Sequence, residues 1–98
     1  MTDNVISSIT QIDKKMLMEI LSAELPALRA KMGCSQAELG ELIGVSRQTY
    51  SMIETHKKEM AWSVYMSLIL VFSSNPKTAS LLEFSGAFPA ELQMVLQK

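Results

Sequence analysis

Two helix starts eleven residues apart, with one glycine corner between them, constrain this chain more than any other feature. Ser35 is followed three residues later by Glu38, the spacing of a capping box, and Ser46 offers a second N-cap. Leu39, Leu42 and Ile43 give the first helix an apolar face, and the second runs to about Glu54. Gly44 supplies a position where φ can be positive, and Val45 plugs the corner from inside. Counting from Gln36, Gly40 is fifth, Gly44 ninth, Val45 tenth and Ile53 eighteenth. A small residue at the fifth position lets the second helix approach, and apolar residues at the tenth and eighteenth fill the wedge. The pattern predicts two short helices packed across a tight turn.

The same punctuation divides the rest of the chain. Asp13 is a candidate N-cap for a helix over about 13–24, with Met16, Leu17, Ile20 and Leu21 at helical spacing. Pro26 either kinks that helix or sits in the first turn of a second one reaching Met32. A further helix reads from about Ala61 to Phe72; Asn75 and Pro76 open another that closes near Gly86, and Pro89 opens the last. No segment alternates at period two long enough to argue a strand. The fold class is all-α: one domain spanning 1–98, with a core at about 25–74, an N-terminal helix at about 13–24 and C-terminal helices at about 76–97. With 48% hydrophobic residues the chain can bury a core, and its net charge of −1 shows no global basic bias. The lone Cys34 excludes an internal disulfide and a multi-cysteine metal site. Asp3 and the polar stretch Gln11 to Lys15 argue against a signal peptide, and the nine residues Val64 to Phe72 are too few to span a bilayer. The expected setting is cytoplasmic.

The stretch from Leu28-Arg29 through Gly33-Cys34-Ser35-Gln36 to Ser46-Arg47-Gln48-Thr49-Tyr50-Ser51 and Ile53-Glu54 resembles the Cro/repressor (Xre) family of helix-turn-helix regulators. The likeness covers about residues 25–74, half the chain. It implies a lambda-repressor-like bundle of four or five core helices, double-stranded operator DNA as ligand, and a homodimer. It further implies that Gln36 grips a backbone phosphate and buttresses the reader helix. Ser46, Arg47, Gln48, Thr49, Ser51 and Met52 would lie at the start or outer face of that helix, and Lys57 and Lys58 in a basic loop meeting the backbone. Gln matches adenine and Arg guanine in the major groove, which agrees with those roles. The resemblance also pairs Arg29 with Glu54 in a mostly buried salt bridge. The chain departs from the family pattern at Cys34, Tyr50, Met52, Thr55-His56 and Glu59-Met60.

The expected function is sequence-specific DNA binding by a transcriptional regulator, a repressor, that reads the major groove with the helix 46–54. The alternative is a protein-interaction module or antitoxin-like partner that keeps the shape with weak or no DNA binding. Its support is charge: from Glu24 to Glu59 five bases (Arg29, Lys31, Arg47, Lys57, Lys58) meet five acids (Glu24, Glu38, Glu41, Glu54, Glu59). No paired-carboxylate, phosphate-loop or zinc-ligand pattern argues for an enzyme, a metal or a cofactor. Tyr50 reads as a core residue, Cys34 as a small hydrophobe, His56 as a loop residue and the scattered methionines as packing.

From Trp62 to Phe72 the chain is apolar on nearly every helix face and must be covered all round. The motif core is expected to cover Trp62, Tyr65 or Met66, Ile69 and Phe72, leaving Leu68 and Val71 for another partner. The terminal helices are expected to wrap that side. Their leftover apolar surface, with Leu92, Val95 and Leu96, would form a symmetric dimer.

Overall fold

The computed structural model describes residues 12–97; Asp3 and Gln11, which bear on a signal peptide, lie outside them. Within these residues the order is α1 (Lys14–Met32), α2 (Gln36–Ile43), α3 (Arg47–Glu54), α4 (Trp62–Ser74), α5 (Ala79–Ser85) and α6 (Ala90–Leu96), with no strand. None of these helices is long and apolar enough to cross a membrane.

The N-terminal helix and the first core helix are one element. Asp13 caps α1 by accepting from the Met16 N–H at 3.0 Å, and the helix continues through Pro26 to end at Gly33. Pro26 removes the bond that the Ser22 carbonyl would otherwise accept. The helix survives because Leu17, Leu21, Leu25 and Leu28 form one buried stripe on both sides of the proline. A boundary at 24 would have cut that stripe in half.

Both reciprocal bonds of the capping box open α2: Ser35 Oγ accepts from the Glu38 N–H at 3.0 Å, and Glu38 Oε1 from the Ser35 N–H at 2.8 Å. Gly44 then turns the chain at φ 84°, where an L side chain would be strained. At Gly40 the constraint is space: an added Cβ would stand 3.0 Å from the Val45 carbonyl oxygen and 3.4 Å from that of Ser46. These two glycines bring α3 against α2.

Inside the chain, α4 presents Tyr65, Leu68, Ile69 and Phe72 as buried residues, packing against α1, α2 and α5. Leu68 therefore needs no second copy to cover it. Asn75 closes α4 rather than capping α5 directly. Its side chain accepts from the Lys77 N–H, residues 76–78 form a turn, and the helix begins at Ala79. Thr78 is buried there, donating to the Phe72 carbonyl at 2.7 Å. The Tyr65 hydroxyl donates to the Ala87 carbonyl, which pins the α5–α6 connection to α4. Leu92 is only 3% exposed, so it belongs to the core and not to a leftover surface. What remains outside is Phe84, Met94 and Leu96, with Val95 half-buried.

Gly40→Ala is expected to lower unfolding free energy by about 1–3 kcal/mol, because the crowding atoms are backbone and cannot rotate away. Urea denaturation followed by helical circular dichroism measures this. A variant as stable as the parent would contradict the close approach.

Candidate nucleic-acid interface

The last residue of α3 fixes the position of the whole helix. Glu54 Oε1 accepts from Arg29 Nε at 3.1 Å and from the Tyr50 hydroxyl at 2.9 Å. Glu54 Oε2 accepts from Arg29 Nη2 at 3.0 Å and from Gln36 Nε2 at 2.7 Å. Arg29 Nη1 also donates to the Cys34 carbonyl at 3.3 Å, which ties in the loop before α2. The ion pair is asymmetric: the Glu54 side chain is 7% exposed and that of Arg29 24%. Donors from α1, α2 and α3 thus meet on one carboxylate.

The network shifts the ionisation of its members. Burial alone would raise the Glu54 carboxyl, but the hydrogen bonds from Arg29, Gln36 and Tyr50 outweigh it and hold the group below the usual carboxylate range. The Tyr50 phenol is pushed well above its ordinary value, first by burial and then by its bond to Glu54. Arg29 is raised, chiefly by its bond to Glu54. Burial also raises the half-buried Cys34 thiol, which keeps it in the unreactive form.

With its inner face locked by Tyr50, Ile53 and Glu54, α3 presents the opposite face outward. Ser46, Arg47 and Gln48 are exposed at its N-terminal turn, and Thr49, Ser51 and Met52 are half-buried beside them. Ser46 Oγ accepts from the Thr49 N–H at 3.0 Å and donates to Thr49 Oγ1 at 3.0 Å, leaving the Thr49 hydroxyl proton free. Lys57 and Lys58 are exposed in the following loop, both backbone N–H groups donating to the Met52 carbonyl at 2.8 and 3.1 Å. Gln36 is half-buried at the start of α2, and one of its two amide hydrogens is committed to Glu54.

The contacts of two residues, Tyr50 and Ser22, are not visible in the sequence. The Tyr50 hydroxyl is a working member of the Glu54 network as well as a core filler. Ser22, buried within the leucine stripe of α1, donates to the Ile53 carbonyl at 2.9 Å and lies 3.3 Å from His56 Nδ1. Its only signal was a small polar residue on an apolar face.

Residues 27–59 match the helix-turn-helix family model, while no curated protein and no solved structure matches the chain. The matched segment runs from the middle of α1 to the loop after α3 and so contains the Glu54 network and the exposed face of α3. Among the described residues the bundle is all-helical and lambda-repressor-like. Residues 27–59 therefore form a helix-turn-helix segment similar to the Cro/repressor type, a DNA-binding motif.

Arg29→Met should destabilise the fold by about 3–5 kcal/mol, because it strands the buried Glu54 carboxylate. Acid acts on the same group. Glu54 is depressed in the folded state, so its contribution is complete above the unfolded value of about 4.3 and is lost as pH falls through the folded one. Melting temperatures of the parent and of Glu54→Gln, followed from neutral pH downward, should converge as the medium becomes acidic. A constant gap between the two curves would show that Glu54 does not carry this dependence.

Proposed function

We propose that this protein is a sequence-specific transcriptional repressor that binds double-stranded operator DNA as a homodimer and reads the major groove with α3. The observation that carries this reading is the exposed N-terminal turn of α3, with Arg47 and Gln48 outward on a helix whose inner face is locked to the scaffold. Arg suits the O6/N7 edge of guanine and Gln the N6/N7 edge of adenine. Thr49 and Ser51 offer hydroxyls to either, and Met52 an apolar surface to a thymine methyl group. Lys57, Lys58 and the second amide hydrogen of Gln36 supply backbone contacts.

Removing the Arg29–Glu54 pair leaves residues 24–59 balanced at four bases and four acids, so this reading rests on where those charges stand. Arg29 and Glu54 cancel each other internally, and Glu38 is engaged in the capping box at the N-terminus of α2. Arg47 is exposed at the start of α3, and Lys57 and Lys58 are exposed in its following loop. A dimer then brings about six such charges to phosphate, for a log–log salt slope near −5.

Mobility shift with DNA from the protein's own promoter region tests the function directly. On the site found, Arg47→Ala and Gln48→Ala should each cost about 1–3 kcal/mol and relax preference at one base position. Lys58→Ala should weaken all sequences alike. Equal losses on matched and mismatched sites for Gln48→Ala would move that residue to the backbone contacts.

The dimer rests on the apolar surface left by the C-terminal helices, where Phe84 is 91% exposed and Met94 and Leu96 stand outward. A chain ending at Ser85 is a poor test, because Ala87 and Leu92 are core residues. Phe84→Glu and Leu96→Glu leave the core intact and should convert a micromolar dimer to a monomer in sedimentation. A parent chain that sediments as a monomer would defeat the dimer.

A second reading is supported by the same exposed apolar residues, together with Leu42 and Leu70, which line a groove of their own: a protein-interaction module that keeps the helix-turn-helix shape. Absence of binding to any DNA at low salt would favour it.

A further inference from the structure

The part of α1 that precedes the helix-turn-helix match lies beside the loop that leaves α3, and a cavity of about 440 Å³ opens between them. That volume falls among small-molecule sites, which run from about 300 to 1,000 Å³. Lys15, Met18, Glu19 and Ser22 supply one wall as a single helical stripe. The facing loop supplies His56, Lys58, Glu59 and Met60.

The lining has a definite chemistry. Met18 and Met60 give it an apolar floor, and each wall carries one lysine and one glutamate. Lys15 and Glu19 are spaced for an i, i+4 pair in the weaker of its two orientations, and among the described residues they form no ion pair. A guest that satisfies such a lining has one charge of each sign and an apolar body.

The rim is held in place against the preference of its backbone. His56 has φ 62°, the one positive φ among non-glycine residues described. Conformations of this kind concentrate at ligand clamps and binding sites. The single hydroxyl proton of Ser22 goes to the Ile53 carbonyl, so His56 Nδ1–H is the donor in their contact. The imidazole therefore reaches the cavity in a preset orientation.

We propose that this cavity binds a small zwitterion with an apolar body, of the size of a large apolar α-amino acid. Its carboxylate meets Lys15 and Lys58, its ammonium meets Glu19 and Glu59, and its side chain lies over Met18 and Met60. Lys58 is also one of the proposed phosphate contacts, so the bound carboxylate neutralises it and weakens DNA binding. That second step rests on the DNA reading above, whereas occupation of the cavity does not.

His56 is the only histidine of the chain, so its ring proton signals identify themselves in the NMR spectrum of the full-length protein. L-phenylalanine, L-leucine and L-methionine are titrated without DNA at fixed pH, with phenethylamine and 3-phenylpropanoate as probes bearing one charge each. At least one amino acid should shift the His56 signals saturably and bind about tenfold more tightly than either one-charge probe. Glu19→Gln and Lys15→Met, both on the exposed face of α1, should weaken that binding, and Lys77→Met should not. No saturation by any amino acid at about 10 mM, or equal binding of the one-charge probes, overturns the site. With an amino acid bound, the salt slope of DNA binding should become shallower by about 2 for a dimer, and an unchanged slope overturns the coupling.

Discussion

The carboxylate of Glu54 accepts four hydrogen bonds from three helices, and the orientation of α3 follows from where those donors stand. Two come from the planar fork of Arg29 on α1, one from Gln36 at the start of α2 and one from Tyr50 a turn earlier on α3 itself. A lysine in place of Arg29 would offer a point charge and no fork, and the Cys34 carbonyl would lose its partner. The pair is nearly out of water on the glutamate side and partly wet on the arginine side, so desolvation falls mainly on the group with the most partners. Such an arrangement specifies geometry. It holds α3 at one angle to the scaffold while its other face remains free to meet a ligand.

Much of this was legible because each signal is local. Ser35 with Glu38, Gly40, Gly44 and Ser46 act within a few residues, and the structure realises the caps and the corner at those positions. Pro26 was not decided locally, because a proline in a leucine-rich segment is compatible with a kink or a new start. Tertiary burial of Leu17, Leu21, Leu25 and Leu28 on one face settled it. Leu92 reads as a surface residue in the sequence for a related reason. In a seven-residue helix the period alone does not say which side faces a core made by α1, α4 and α5. The exposed site residues were placed through family likeness, since an outward Arg47 or Gln48 has no packing signature of its own.

Neutral composition and DNA binding are reconciled by where the charges are spent. Glu54 and Glu38 each have a structural partner set, the first in the core network and the second at a helix start. Arg47, Lys57 and Lys58 are exposed and have no ion pair among the described residues. The loop carrying the two lysines is shaped by their own backbone N–H groups, which return to the Met52 carbonyl. Its basic side chains are therefore displayed from a fixed turn. Backbone amides at the start of α3 add an attraction for phosphate that no charge count records.

The C-terminal segment extends the same logic of one face locked and one face offered. Leu82, Ala87 and Leu92 anchor it to the core, and the Tyr65 hydroxyl and Thr78 fix its two bends. Phe84, Met94 and Leu96 are then presented from an anchored support, unlike the side chains of a loose tail. In the proposed dimer a second copy meeting that surface would order little backbone, which would lower the entropic cost of the interface. Rigidity matters more here than area does. Two reader helices address half-sites about one helical turn apart only if the elements between them hold their spacing. The buried leucines of α1, α4 packed against them, and α5–α6 pinned to α4 make a continuous packed path from Glu54 to Phe84. The stability of the core and the spacing of the proposed readers therefore depend on the same side chains.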